Sequence, residues 1–324
     1  MTTPIARTYG REVAIQEMPR RKSGAHKWSV GATLIVAGSP GYVGAPALAA
    51  MAAGRIGAGV VHLVVPRSLI GAIAGLVPET VFLPIPDGEL GSGDRLIKAI
   101  DDRAQRCNSF LIGPGIGNDD YARQLIDVLL GLTGTAASRS FGFGRLPVAN
   151  RDNDAPKSLI SYGRPIVVDA DGLNALAHSE NWWERVPEGS LILTPHAGEL
   201  SRLTGEESDV ITADSASAAW RAAIKFRQTV VLKGNPTHVA SPPDVWTGPE
   251  TPLSLASAGT GDVLAGAIAG LIAQGMVPRA AANLALLAGA NAARAIEADL
   301  GVAGLVASDL PIAMARELAQ LARS

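Results

Sequence analysis

Short apolar runs recur along the chain, and each stops at a cluster of Gly, Pro, Asp or His. Residues 32–39 (ATLIVAGS) run into Pro-Gly, residues 60–65 are stopped by Pro66, and residues 110–112 run into GPGIG (113–117). Residues 165–168 (PIVV) lead into DADGLNAL, 191–193 into TPHAGEL, and 229–232 into KGNPTHV. Val/Ile/Leu runs of this length predict strands of a parallel sheet lying under helices. Helical stretches fall between them, at 45–54 (APALAAMAAG), where small side chains permit close packing, and from about 119 to 130. The strand–loop–helix rhythm predicts βαβ units, an α/β fold and a mainly parallel sheet. Each chemistry-bearing cluster then sits at the carboxyl end of a strand, the edge along which open α/β sheets bind ligands.

Two stretches break the rhythm. Residues 1–24 are polar and charged and predict a loosely docked N-terminal arm, ahead of a single domain over 25–324. Residues 133–164, rich in Gly, Ser, Asn and Arg and without a period, predict a loop insertion: a tolerated surface loop, or a lid or oligomer contact.

Composition narrows the class. Hydrophobic residues make up 47% and charged residues 18% of the 324, which excludes a disordered chain. A net charge of −2 gives no bulk attraction to nucleic acid or anionic membrane. The single cysteine, Cys107, allows neither an internal disulfide nor a thiolate metal site, and fits a cytoplasmic protein. The most apolar stretch, 253–273, is interrupted by Asp262 and glycines, so it reads as a buried helix with its preceding turn and not as a membrane span.

The strongest motif is ASAGTGDVLAGAIAGLIAQG (256–275). Gly259, Thr260 and Gly261 form a tight turn that opens a helix near Asp262, and a helix N-terminus offers unpaired N–H donors to a phosphate. Thr260 or Asp262 could instead be a plain helix cap, although a cap does not need both glycines. Asp262 beside an anion hole could deprotonate a hydroxyl that attacks a bound phosphoryl group. In TPHAGELSRL (194–203), His196 and Glu199 are three apart on a helix face and could share a ligand, with Glu199 holding magnesium through water. The alternative is a capping box. Lys233 and the donors after it could contact phosphate or ribose, or simply form a hairpin turn. Asp169 and Asp171 could orient substrate or a metal-bound water, with N-capping by Asp171 as the alternative. His26, His62, His178 and His238 show no ligand spacing and receive no role.

Read in order, VGATLIVAGSPGYVGAPALAAMAAGRIGAGVV, GPGIG, VVDADGLNAL, TPHAGELSRLTG, VVLKGNPTHVA and AGTGDVLAGAIAGLIAQG resemble the ADP/ATP-dependent NAD(P)H-hydrate dehydratases, over roughly residues 19–320. TPH-x-GE together with AGTGDVLAG separates this family from sugar kinases, which carry Asn-x-x-Glu where this chain has His196-Ala-Gly-Glu199. The resemblance implies a ribokinase-like three-layer α/β/α fold. It implies dehydration of NADH hydrate or NADPH hydrate at the expense of ADP (or ATP) with Mg2+, releasing AMP and phosphate. By the same resemblance, Ala45, Gly115 or Gly117, His196 and Asp262 would contact the hydrated nucleotide. Lys233, Gly234, Asn235, Pro236, Thr237 and Gly261 would contact the adenine nucleotide, alongside Gly259 and Thr260 of the turn. A homo-oligomer, often a tetramer, is also implied, and 1–24 is too short to be the epimerase domain that many members carry, so an NAD(P)H-hydrate epimerase would be a separate protein or absent. The chain departs from the family at Lys27-Trp28, where many members have Lys-Gly, and at 250–257, where an Asn-bearing run is replaced. A ribokinase-like small-molecule kinase is the alternative. A nucleotide-binding regulatory protein without turnover is a third reading, against which Asp262 argues.

Overall fold

A computed structural model of the chain describes residues 4–87, 93–132 and 158–323. Along them run β1 (Arg7–Thr8), α1 (Arg11–Glu17), α2 (Lys27–Val30), β2 (Ala32–Val36), α3 (Gly44–Arg55), β3 (Val60–Pro66), α4 (Ile70–Ala74), β4 (Val81–Ile85), α5 (Gly93–Ala104), β5 (Ser109–Ile112) and α6 (Asp120–Leu130). After the insertion come β6 (Ile166–Val168), α7 (Asp171–Leu176), β7 (Leu191–Leu193), α8 (Ala197–Thr204), α9 (Ser208–Ala213), α10 (Ser215–Phe226) and β8 (Thr229–Leu232). The chain closes with β9 (His238–Ser241), β10 (Asp244–Thr247), α11 (Thr260–Ala273), α12 (Pro278–Leu300) and α13 (Leu310–Ala322).

The ten strands among the described residues form one sheet in the order β1-β10-β9-β8-β7-β6-β5-β2-β3-β4. Only β9 is paired antiparallel, to β8 and to β10. Side chains alternate across the sheet, as the period-2 pleat requires. Ile35, Leu111, Val167, Ile192 and Val231 pack on one face with α3, α11, α12 and α13. Leu34, Phe110, Val168, Leu193 and Val230 pack on the other with α5, α6, α7 and α10. Both faces are therefore covered, which is why these strands read as continuous apolar runs and not as alternating ones. The expected three-layer α/β/α arrangement is what forms. No helix among the described residues is long and apolar enough to cross a membrane.

The N-terminal stretch, expected to dock loosely, carries structure. β1 pairs parallel with β10, and Arg7 forms an ion pair with Asp244. Tyr9, Ala14 and Met18 are buried in the core, with the Tyr9 ring edge-on to Trp246 at 6.0 Å. Polarity along 1–24 hides these few apolar anchors. Most of the 133–164 insertion lies outside the described residues, and the part within them includes the short turn Leu159–Tyr162.

α3 and α11 touch backbone to backbone. A Cβ on Gly266 would stand 2.2 Å from the Ala49 carbonyl oxygen, and one on Gly270 would stand 2.7 Å from that of Ala53. Two glycines one helical turn apart thus let α11 lie against α3, and the N-terminal ends of both helices reach the carboxyl edge of the sheet.

One histidine without an expected role proves unusual. His62, on β3, is buried, its ring stacked on Trp28, and neither ring nitrogen has a hydrogen-bond partner among the described residues. Burial, with Arg103 and then Arg106 adding repulsion, lowers its pKa to about 4. A folded pKa below the unfolded value of 6.5 leaves stability untouched at neutral pH. As pH falls below 6.5 the unfolded chain gains the proton first, and stability drops until about pH 4, then levels. The full loss is about 3 kcal/mol. Denaturant titration should show that His62→Phe flattens this slope; an unchanged slope in the variant would show that His62 is not its source.

Candidate active site

The sheet order reverses between β2 and β5: β3 and β4 follow on one side, β6, β7 and β8 on the other. Loops leaving such a switch point part and open a crevice. Here the Gly38 N–H donates to the Pro114 carbonyl at 2.9 Å, joining the loop after β2 to the GPGIG loop after β5. Gly115 has φ +63, and a Cβ there would stand 2.7 Å from Tyr42 Cβ and 2.9 Å from Ala45 Cβ. Ala45 and Gly115 are thus neighbours across the crevice, and only glycine fits the second position. The Gly117 N–H donates to Asp171 Oδ2 at 3.0 Å. Asp171 therefore ties two loops together; it makes no cap bond to its own helix.

The ends of β6, β7 and β8 converge on a buried charged cluster. Lys233 Nζ lies 2.9 Å from Asp169 Oδ1 and 3.7 Å from Glu199 Oε2. Thr194 Oγ1 donates to the same Asp169 oxygen at 2.7 Å. Burial opposes the charge on Lys233, but Asp169, Glu199 and Asp262 outweigh it and raise its pKa, so it is an ammonium. Burial raises the Glu199 pKa against the pull of Lys233. Lys233, expected at phosphate or ribose, thus has its ammonium held by two carboxylates. β8 also turns into β9 as a hairpin, the alternative reading of 230–240.

His196 and Glu199 form a complete capping box at the start of α8. His196 Nδ1 accepts from the Gly198 and Glu199 N–H groups, and Glu199 Oε2 accepts from the His196 N–H at 2.8 Å. The imidazole remains half exposed, while Glu199 is buried.

The glycine-rich turn is not a plain cap. Gly259, at φ +86, is the N-cap of α11, and no side chain caps the helix. Thr260 Oγ1 instead donates backwards, to the Leu255 and Ser257 carbonyls at 2.9 and 3.0 Å. The N–H groups of the first helical turn have no carbonyl behind them to bond and so favour an anion. A Cβ on Gly259 would stand 2.6 Å from Leu48 Cδ1, so glycine answers the close approach of α3 as well as the positive φ. The Asp262 carboxyl is raised to a pKa of about 7, by burial first and then by Asp169 and Asp171, with Lys233 opposing. A carboxyl that titrates near neutrality beside unpaired N–H groups is suited to take a proton from a hydroxyl.

A cavity of about 400 Å³ opens next to the turn. Lys233, Gly234, Asn235, Thr237, Thr260 and Gly261 line it, with Leu286 and Met314 giving it an apolar floor. Pro236 and Gly259 do not line it, and Ala45, Gly115, Gly117 and His196 lie outside it. The Asn235 carboxamide is occupied, accepting the Thr251 N–H at 3.0 Å. Sequence reading missed Thr194, Thr251 and the residues from α12 and α13; their local patterns carry no signal of a site. Among the described residues, no group of three or more His, Cys, Asp or Glu could hold a metal ion. The donor set still fits Mg2+ carried in on nucleotide phosphates, because Mg2+ keeps several waters and needs only one or two carboxylates from the protein.

A mainly parallel sheet between helical layers, a glycine turn opening α11, and a buried carboxyl near a cavity make an α/β site suited to a phosphorylated ligand at the carboxyl edge of the sheet. The family model for NAD(P)H-hydrate dehydratase matches residues 33–135 and 141–315, and the chain belongs to that family. It is 34% identical over 295 residues to an ADP-dependent (S)-NAD(P)H-hydrate dehydratase of Neisseria meningitidis serogroup B, covering 90% of this chain and 86% of that protein. It is 37% identical over 296 residues to the bifunctional NAD(P)H-hydrate repair enzyme Nnr of Salinibacter ruber, covering 90% of this chain and 49% of that protein. The chain thus spans about half the length of such bifunctional relatives. The fold matches a Bacillus subtilis ADP/ATP-dependent NAD(P)H-hydrate dehydratase co-crystallized with ATP/Mg2+ (TM-score 0.76, 24% identity, 98% of this chain and 99% of that one). It also matches a ribokinase-like superfamily protein from Enterococcus faecalis V583 (TM-score 0.75, 19% identity, 100% and 99%).

Proposed function

We propose that the protein is an ADP-dependent dehydratase that restores NADH or NADPH from the (S)-hydrate, releasing AMP and phosphate. The observation that carries this reading is Asp262: a buried carboxyl at the phosphate-binding turn, with a pKa raised to about 7. Asp262 takes the proton of the hydrate's C6 hydroxyl, and that oxygen attacks the terminal phosphoryl group of ADP, expelling AMP. The C6–O bond then breaks, phosphate leaves with the former hydroxyl oxygen, a proton is lost from the neighbouring carbon, and the ring regains its double bond. The nucleotide is consumed because phosphate leaves where hydroxide does not. The N–H groups opening α11 stabilise charge on the transferred group, and the apolar floor of the cavity takes the adenine. Mg2+ supplies charge neutralisation when bound with the phosphates, and Glu199 would hold it through water.

Ala45, Gly115, Gly117 and His196 take the hydrated nucleotide at the switch-point side. Lys233 to Thr237, with Gly259, Thr260 and Gly261, take ADP. The ADP-dependent Neisseria relative and the Bacillus structure co-crystallized with ATP/Mg2+ support ADP and an adenine nucleotide with Mg2+ respectively. A cytoplasmic homotetramer with an NAD(P)H-hydrate epimerase as functional partner completes the reading, and light scattering checks the subunit number.

The test is a hydrate assay with ADP and ATP side by side. Absorbance at the reduced-nicotinamide wavelength should return with ADP, with AMP and phosphate formed in equal amounts. A phosphate that stays on a stable product would mark a small-molecule kinase instead, and tight ADP binding without consumption would mark a regulatory protein.

A further inference from the structure

Lys233 carries a long, flexible side chain, and an ammonium serves a phosphoryl group only where it is held. Asp169 does the holding: its Oδ1 accepts from both Lys233 Nζ and Thr194 Oγ1, at 2.9 and 2.7 Å, and the residue is buried. The backbone supports this aim. Ala170, between Asp169 and Asp171, has φ 51 and ψ −120, a conformation that non-glycine residues adopt only when their surroundings fix it. This turn sends Asp169 toward Lys233 and Asp171 onto the Gly117 N–H, so one short segment joins the phosphoryl side of the site to the switch-point side. At Gly261, an added Cβ would stand 3.6 Å from Lys233 Nζ and 4.0 Å from Asp169 Oδ2. The pair therefore lies directly against the phosphate-binding turn.

We propose that Asp169 is a positioning residue for the reaction, fixing the Lys233 ammonium beside Gly261 so that one cation faces both the transferred phosphoryl group and the Asp262 carboxylate. This rests on the phosphoryl-transfer reading above. The charged groups acting on Asp262 are Asp169 from the end of β6, Asp171 from α7 and Lys233 from the end of β8; those acting on Lys233 are Asp169, Glu199 and Asp262. Asp169 raises Asp262 and Lys233 lowers it, so removing each should move the titration of Asp262 in opposite directions.

The experiment measures kcat/KM against pH, and ADP affinity by calorimetry, for the wild type, Asp169→Asn, Lys233→Met and the double variant. Asp169→Asn should lower kcat/KM by about 10²-fold through misplacement of the ammonium. Its acidic limb should move down by roughly one pH unit as the carboxylate repulsion is removed, and ADP should bind about tenfold more weakly. Lys233→Met should move the limb up. The double variant should lose little more than Lys233→Met alone, because the two residues act as one unit. An unmoved limb with unchanged ADP affinity in Asp169→Asn, or losses that multiply in the double variant, would overturn the proposal. Should Asp169→Asn not fold, Thr194→Val, which removes one donor to the same oxygen, should still weaken ADP binding several-fold, and unchanged affinity there counts against the role. A wild type that consumes no hydrate, but whose ADP affinity falls in Asp169→Asn, would sink the dehydratase reading and leave the positioning role standing.

Discussion

Asp262→Asn should lower kcat for hydrate repair by about 10²- to 10⁴-fold while leaving ADP affinity within a few-fold of the wild type or tighter. The amide keeps the shape of the carboxyl and loses its ability to accept a proton. It also removes a negative charge from beside the bound phosphates. The pH profile gives the sharper test. Burial and the Asp169 and Asp171 carboxylates hold Asp262 at a pKa of about 7, and the base works only when ionised. Wild-type kcat/KM should therefore fall about tenfold for each pH unit below 7, and the residual activity of the variant should lack that limb. Full activity in Asp262→Asn, or the same limb in both proteins, would rule out Asp262 as the base.

Gly266→Ala should destabilise the fold by about 3 kcal/mol, the upper part of the range for overpacking a tight interior contact. The added methyl would sit 2.2 Å from the Ala49 carbonyl oxygen, a backbone atom that no side-chain rotation can move aside. Intrinsic helix propensity favours alanine by about 1 kcal/mol at such a position, so the net sign is itself informative. The helices must part, and their N-terminal ends carry Ala45 on α3 and Asp262 on α11. Activity should accordingly fall more than the folded fraction does. Denaturant titration alongside kcat/KM reads both effects; a variant as stable as the wild type would show that α3 and α11 are not packed as described.

Much of the architecture was legible in the sequence for a definite reason. Strands buried on both faces are mostly apolar, so 191–193 and 229–232 match β7 and β8, and 60–65 differs from β3 only by Pro66. Less was legible at the margins. β4 is an edge strand with mixed exposure and an internal Pro84, and it carries no strong pattern. α12 is a 23-residue helix rich in alanine, whose broad apolar side blurs the period although Pro278 opens it and Gly301 closes it. The polar N-terminal stretch concealed Tyr9 and Ala14, because a few anchors in a charged segment do not alter its average.

The site divides along the same line. The sequence by itself determined which residues stand at the carboxyl ends of the strands, because chain order and strand length place Asp169, His196 and Lys233 where the apolar runs stop. It left open whether Thr260 or Asp262 was a cap, whether His196 and Glu199 formed a capping box, and what Lys233 touched. Only the tertiary structure decided these. Thr260 bonds backwards, His196 and Glu199 close a capping box, and Lys233 meets Asp169, 64 residues earlier in the chain. The protonation of Asp262 belongs to the same class. A carboxyl titrates near neutrality only when water is excluded and other carboxylates stand near. Both conditions arise where α11 meets the ends of β6 and β8, which local sequence pattern does not encode.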